Sequence, residues 1–271
     1  MPMSSYVITG VSRGIGFEFV RQLSENPANT VFGLVRNKAA VDSKVAAEIG
    51  RKNIHIIEAD TTDPEALKKA VEYVSGKMNG TLDYIIANAA LQAKTAMVGF
   101  DTLSKDPKAL EEDLIEHYRV NTIGPVHLFN IFMPLILKGR AKKVIAISTG
   151  ASDPEMTLKA DMFQATSYSM SKAALNIAVA KFSALYRQKG VLVMAICPGA
   201  ADTGSLQIET EEEGKLAMAL FGKFKEYSPT FQGPAKPEDC VKSVLALVNK
   251  ATVDGGYAGV FISHTEGKPY L

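Results

Sequence analysis

Two kinds of hydrophobic pattern alternate along this chain. Short runs rich in β-branched and aromatic residues recur at 6–8, 30–35, 54–58, 82–87, 144–147, 191–196 and 257–262. Such runs, bounded by turn residues, predict strands. Between them, apolar residues fall three and four apart, the period of an amphipathic helix. Helices are predicted over 17–23, 39–49, 64–74, 107–137, from Tyr168 to about 188, and 236–247. Asp63 and Pro64 are an N-cap and first-turn proline for the third of these in sequence. Strands alternating with helices imply a parallel sheet covered on both faces. No linker and no low-complexity segment interrupts the pattern, so residues 1–271 are expected to form a single domain.

The first strand runs directly into Thr9-Gly10-Val11-Ser12-Arg13-Gly14-Ile15-Gly16 and then a helix. Glycines at a strand-to-helix junction let backbone approach a pyrophosphate, and a helix N-terminus favours its charge. This makes the expected architecture a doubly wound Rossmann-type α/β fold that binds a dinucleotide. The second strand ends at Arg36, and Arg13 lies in the glycine loop. An acid at that strand end would bind a free ribose 2′-hydroxyl, whereas a basic residue accommodates a 2′-phosphate. Two arginines and no acid point to NADPH/NADP+. Asp60, Asn88, Ser148, Thr149 and Thr203 all fall at or just past strand ends, where such sheets bind ligands.

Composition narrows the partners. Of 271 residues, 46% are apolar, as in a globular domain, and the net charge of +1 gives no support for nucleic-acid binding or attachment to anionic lipid. The two cysteines, Cys197 and Cys240, belong to no CxxC, so reduced thiols and no metal site are expected. His55, His117, His127 and His264 share no ligand spacing and read as ordinary surface or helix residues. Residues 1–5 are too short and polar for a signal peptide, and no apolar run is expected to reach membrane-spanning length, so the expected location is the cytoplasm.

The chemistry concentrates at Tyr168-Ser169-Met170-Ser171-Lys172. Residues four apart share a helix face, so a phenol and an ammonium stand together. A free phenol keeps its proton to about pH 10. A nearby ammonium favours the phenolate, which would let the tyrosine serve as general acid or base on an alcohol or carbonyl.

Together these residues resemble the short-chain dehydrogenase/reductase family. Thr9-Gly10-x-x-x-Gly14-x-Gly16 matches its cofactor loop. Asn88-Ala89-Ala90 is similar to its Asn-Ala-Gly element, with alanine in place of the glycine. Asn121, Tyr168 and Lys172 match three of its four catalytic positions, and Pro198-Gly199-Ala200-Ala201-Asp202-Thr203 resembles the Pro-Gly…Thr element beside the nicotinamide. The ending, 263–269, is similar to a fungal branch related to norsolorinic acid ketoreductase. The fourth catalytic position is a serine in the family; here Thr149 aligns best, with Ser148 the alternative. The resemblance implies hydride transfer between NADP(H) and a carbonyl or alcohol. In it Tyr168 exchanges the proton and Thr149 positions the oxygen. Lys172 lowers the phenol pKa and holds the ribose, and Asn121 holds a relay water. It also implies cofactor contacts from Thr9, Gly10, Ser12, Arg13, Gly14, Ile15, Gly16, Arg36, Asp60, Thr61, Asn88, Ala89, Ala90, Pro198, Gly199, Ala201 and Thr203, and a homodimer or homotetramer. An NADP(H)-binding sensor or scaffold without turnover is the rival reading; it does not need Asn121, Tyr168 and Lys172 together.

The substrate is less legible. Residues 153–164 read as an inserted loop at the pocket wall, and 203–228 as a lid carrying Leu206, Ile208, Leu216, Met218, Leu220, Phe221 and Phe224. With Met162 and Phe163 these suggest an apolar ketone or aldehyde, aromatic ones included. The long helix and the Tyr168 helix carry apolar stripes, Leu128, Phe132, Leu135 and Leu175, Val179, Phe182, and the resemblance implies dimerisation through these two helices. Pro125, inside the long helix, removes the N–H that would bond the Asn121 carbonyl, so the helix is expected to open there.

Overall fold

The fold is that of a computed structural model, which describes residues 3–92, 97–204 and 210–271. Seven strands, β1 (Ser5–Thr9), β2 (Thr30–Val35), β3 (Ile54–Glu58), β4 (Tyr84–Ala87), β5 (Lys143–Ile147), β6 (Leu192–Cys197) and β7 (Phe261–Ser263), form one sheet in the order β3-β2-β1-β4-β5-β6-β7. Every pairing is parallel. The helices are α1 (Gly14–Leu23), α2 (Lys38–Glu48), α3 (Pro64–Lys77), α4 (Phe100–Leu103), α5 (Pro107–Tyr118), α6 (Gly124–Lys138), α7 (Pro154–Lys159), α8 (Thr166–Tyr186), α9 (Glu211–Tyr227) and α10 (Pro237–Lys250). The Asp63 carboxylate accepts from the Glu65 and Ala66 amides with Pro64 at the first position of α3, the expected start.

Successive strand residues face opposite sides, and the two cores follow from that. Tyr6 and Ile8, with Leu192, Met194 and Ile196, pack against Phe17 and Phe19 of α1 and Val241 and Val244 of α10. Val7, with Val193 and Ala195, packs against α3, α6 and α8. A parallel sheet needs both faces covered in this way. Strand order reverses between β1 and β4, which opens a crevice at the strands' carboxyl ends.

Four expectations change. The last strand begins at Phe261, later than predicted. Residues 253–257 instead form a π turn with Gly256 at φ +82, and Gly259 at φ +80 breaks the extended run. The long helix divides at a π turn, Arg119–Ile123, where Gly124 N–H donates to the Arg119 carbonyl and Pro125 sits in the first turn of α6. The opening therefore falls at Asn121, as a change of hydrogen-bond register. Pro107–Lys138 as a whole is long and apolar enough to cross a membrane, contrary to expectation, but 56% of its apolar window is buried inside the fold, as in a core helix. Finally, Leu128, Phe132, Leu135, Leu175 and Val179 are buried in the molecule's own second core, so these stripes are not subunit surface.

Candidate active site

At the crevice, sterics dictate the glycines. Gly10 sits at φ +71, and a Cβ there would lie 2.7 Å from Ala89 Cα; one on Gly16 would lie 2.2 Å from the Gly10 carbonyl oxygen and 2.5 Å from Asn88 Nδ2. No side chain fits between the loop and the end of β4. Thr9 Oγ1 accepts from the Asn88 and Ala89 amides at 3.1 and 3.0 Å, and Asn88 Nδ2 donates to the carbonyls of Thr9 and Gly10 at 3.1 and 3.2 Å. The loop leads into the N-terminus of α1, with Arg13 at the N-cap making no side-chain cap bond. This cradle of close backbone at a helix start fits a dinucleotide pyrophosphate.

The cradle opens into a cleft of about 750 Å³. Gly10, Ser12, Arg13, Gly14, Ile15, Gly16, Arg36, Asp60, Thr61, Asn88, Ala89, Ala90, Thr149, Tyr168, Lys172, Pro198, Gly199, Ala201 and Thr203 all line it, as does Ser148. Thr9 and Asn121 stand behind the wall, 2% and 0% exposed. Arg13 and Arg36 are exposed and form no ion pair with a described residue.

Asn121 is a clamp. Its Oδ1 accepts from the Leu91 amide at 2.7 Å; its Nδ2 donates to the Leu91 carbonyl at 2.9 Å and to Ser171 Oγ at 3.0 Å. Ser171 Oγ donates to the Tyr168 carbonyl at 2.7 Å, and Thr122 Oγ1 donates to the Ser171 carbonyl at 2.7 Å. The π turn thus grips α8 between Tyr168 and Lys172. Lys172 Nζ, wholly buried, donates to the Ile147 carbonyl at 2.7 Å and lies 5.9 Å from the Tyr168 ring centre.

The electrostatics correct one expectation. Burial pushes the Tyr168 phenol upward, with a smaller push from the Cys197 thiol, and lowers the Lys172 ammonium to about 8. In a low-dielectric wall each group loses hydration, and that loss outweighs mutual help. The phenol is held protonated at neutral pH. The hydroxyl pair also differs: Thr149 Oγ1 accepts from the Ala151 amide at 3.3 Å, whereas Ser148 Oγ is buried without a partner. Burial raises the Cys197 thiol to about 11, and both cysteines are free. Among the described residues no group of acids, histidines and cysteines could hold a metal. His117 is buried, with Nδ1 2.8 Å from the Asp113 carbonyl, and the His264 ring covers Gly199.

The far end of the cleft is a third apolar cluster. Met156 and Met162 from the 153–164 segment meet Leu220, Phe221 and Phe224 of α9, and Tyr270 and Leu271. All seven line the cleft. Tyr270 stacks on Phe261 at 4.9 Å and donates its hydroxyl to Asp153 at 2.9 Å. Lys268 pairs with Asp153 at 2.9 Å and also with Glu155. Lys223 of α9 pairs with Asp161 at 3.4 Å. Sequence reasoning placed 153–164 at the wall without singling out Met156 or Gln164, and it missed Tyr270 and Leu271, whose signal was complementary charge between Lys268 and Asp153-Pro154-Glu155. Phe163, expected in the pocket, is 53% exposed and packs at Gly99, and Met218 is 72% exposed. Leu206 and Ile208 lie outside the described residues.

A glycine cradle at the switch point, followed by a clamped Tyr-x-x-x-Lys helix, defines a nicotinamide-dependent oxidoreductase of the short-chain dehydrogenase/reductase family, and this chain belongs to it. The model of the short chain dehydrogenase family matches residues 5–214. The chain is 49% identical to short chain dehydrogenase virK of Hypocrea virens over 99% of its own length and all of the relative's. It is 43% identical to short-chain dehydrogenase/reductase iacC of Pestalotiopsis fici, again over 99% and 100%. In fold it is similar to NADPH-bound carbonyl reductase from chicken fatty liver, with a TM-score of 0.77 at 24% identity over both whole chains. The carbonyl reductase Sniffer of Drosophila melanogaster superposes with a TM-score of 0.76 at 21% identity over 99% and 100%.

Proposed function

We propose that the protein is an NADP(H)-dependent carbonyl reductase acting on apolar ketones or aldehydes. The observation that carries this reading is the convergence of Tyr168, Lys172 and Thr149 on the same cleft that the glycine loop enters. Arg36 and Arg13, exposed at the cofactor end with no described ion-pair partner, support a 2′-phosphate over a free hydroxyl. When bound, the cofactor supplies the hydride to the carbonyl carbon. Tyr168, held protonated, donates to the developing alkoxide; the Thr149 hydroxyl orients the same oxygen. Lys172 holds the ribose and stabilises the phenolate left behind. Lys172 then passes a proton back to the phenolate; Asn121 fixes the helix that carries both residues, and a water at its carbonyl replaces the proton that Lys172 gave up. The Met156–Phe224 wall favours an apolar body, aromatic ones included.

We infer further that residues 1–271 act as a single domain with a substrate lid at about 203–228, in the cytoplasm. Exposed Ile115, Met170, Ile177 and Leu185, on the contacting helices α5 and α8, support a homodimer or homotetramer. The test of the activity is NADPH oxidation against a panel of ketones, aldehydes and diketones. Saturable turnover with at least one is expected; tight NADPH binding with no turnover on any would favour a sensor instead.

A further inference from the structure

Among the described residues, two buried side chains that line the cleft carry an oxygen without any hydrogen-bond partner: Ser148, already weighed as a catalytic hydroxyl, and Gln164. Ser167, Asn176 and Tyr227, whose buried side-chain oxygens also lack a partner, do not line it. A buried orphan acceptor costs roughly 1–3 kcal/mol, so a native structure retains one for a reason. Gln164 is 6% exposed. It lies four residues before Tyr168 and is fixed in place by Ala165, a non-glycine residue at φ +55 that starts α8. Gln164 lines the same cleft as Tyr168 of the catalytic helix and as Met156, Met162, Leu220 and Phe221 of the apolar wall. The cleft-lining cations among the described residues are Arg13, Arg36 and Lys172. The first two stand at the cofactor end and the third is bonded to Ile147, so nothing here fits an anionic substituent.

We infer that Gln164 is a specificity-determining residue that accepts a hydrogen bond from a hydroxyl on the substrate, a hydroxyl separate from the carbonyl that is reduced. The substrate class is then a neutral, largely apolar carbonyl compound bearing at least one further hydroxyl. A site built around a hydrogen bond rejects the analogue that lacks its partner, because the buried amide is left unpaired. This inference rests on the carbonyl reductase reading and sharpens its substrate.

The test compares kcat/KM for acetophenone and its 2′-, 3′- and 4′-hydroxy isomers with NADPH, in the wild type, Gln164→Met and Gln164→Glu. The wild type should prefer at least one hydroxylated isomer by tenfold or more. Gln164→Met should lower that isomer alone and bring the ratio below about twofold. Gln164→Glu, which keeps an oxygen acceptor, should retain the preference. Tyr227→Phe, which removes an orphan hydroxyl outside the cleft, should leave the ratio unchanged. Turnover without hydroxyl preference in the wild type would overturn the inference by itself, even if both Gln164 variants failed to fold. A preference that survives Gln164→Met, or an equal loss on all four ketones in a variant of native melting temperature, would also overturn it. No NADPH oxidation with any of the four would count against the carbonyl reductase reading as well.

Discussion

The two ends of the cleft are held by different forces. At the cofactor end, backbone presses on backbone: Gly10 and Gly16 leave no room for a Cβ, and Thr9, Asn88 and Asn121 fasten the loops with hydrogen bonds inside the fold. At the substrate end, three stretches remote in sequence meet through their side chains: 153–164, α9 and 264–271. The first arrangement tolerates almost no change of residue type. The second can be repacked, because apolar clusters accept volume-conserving swaps. A scaffold divided in this way can keep its cofactor chemistry while its substrate changes.

Substitutions can break this division if it is wrong. The largest effect belongs to the junction of the two ends. Tyr168→Phe removes only the proton donor and should reduce turnover by about 10²–10⁴-fold with NADPH affinity nearly intact. Thr149→Val should also depress turnover strongly and Ser148→Ala more mildly; the reverse order would make Ser148 the positioning hydroxyl.

Lys172→Met should stabilise the apoprotein while abolishing activity. The folded ammonium titrates near 8 against an ordinary 10.5, a depression worth roughly 3 kcal/mol. Losing the bond to Ile147 returns about 1 kcal/mol of that. Between pH 8 and 10.5 the unfolded chain binds a proton that the folded chain does not, so wild-type stability rises with pH across this window. The variant's advantage should therefore be complete below about pH 8 and shrink towards pH 10.5; urea denaturation at pH 7 and pH 10 measures it.

Arg36→Ala should weaken NADPH binding at least tenfold, about 1.4 kcal/mol, and leave NADH binding unchanged. Equal affinities for the two cofactors in the wild type would remove the 2′-phosphate argument. The smallest effect is expected at the far end. Tyr270→Phe loses one hydrogen bond to Asp153 and should raise the substrate KM about threefold, with NADPH affinity within twofold. If Tyr270→Phe instead weakened NADPH, the two ends would not be independent.

Legibility in the sequence followed the same division. The cofactor end was readable because its residues are local and fixed by sterics: a glycine run after a strand and a Tyr and Lys one helical turn apart. The division of the long helix was readable from Pro125, although the π register was not, since it depends on Asn121 and Thr122 finding Ser171 across the molecule. The direction of the Tyr168 shift was misjudged because a sequence displays the neighbouring charge and hides the desolvation. The substrate end was opaque for a related reason. Tyr270 meets Asp153 across 117 positions, and no periodicity encodes that contact. The interface stripes failed because apolar spacing says that a face is buried, not whether sheet or partner buries it.

The central claim is direct hydride delivery at the Tyr168–Lys172 end of the cleft. It is tested most directly with NADPH carrying deuterium on either face of the nicotinamide C4 and the best ketone of the panel. The account predicts one deuterium on the carbinol carbon from one face only, with Tyr168→Phe forming product at least about a hundredfold more slowly despite retained NADPH binding. Product lacking deuterium from both labelled forms, or Tyr168→Phe working at a tenth of the wild-type rate or better, would contradict it.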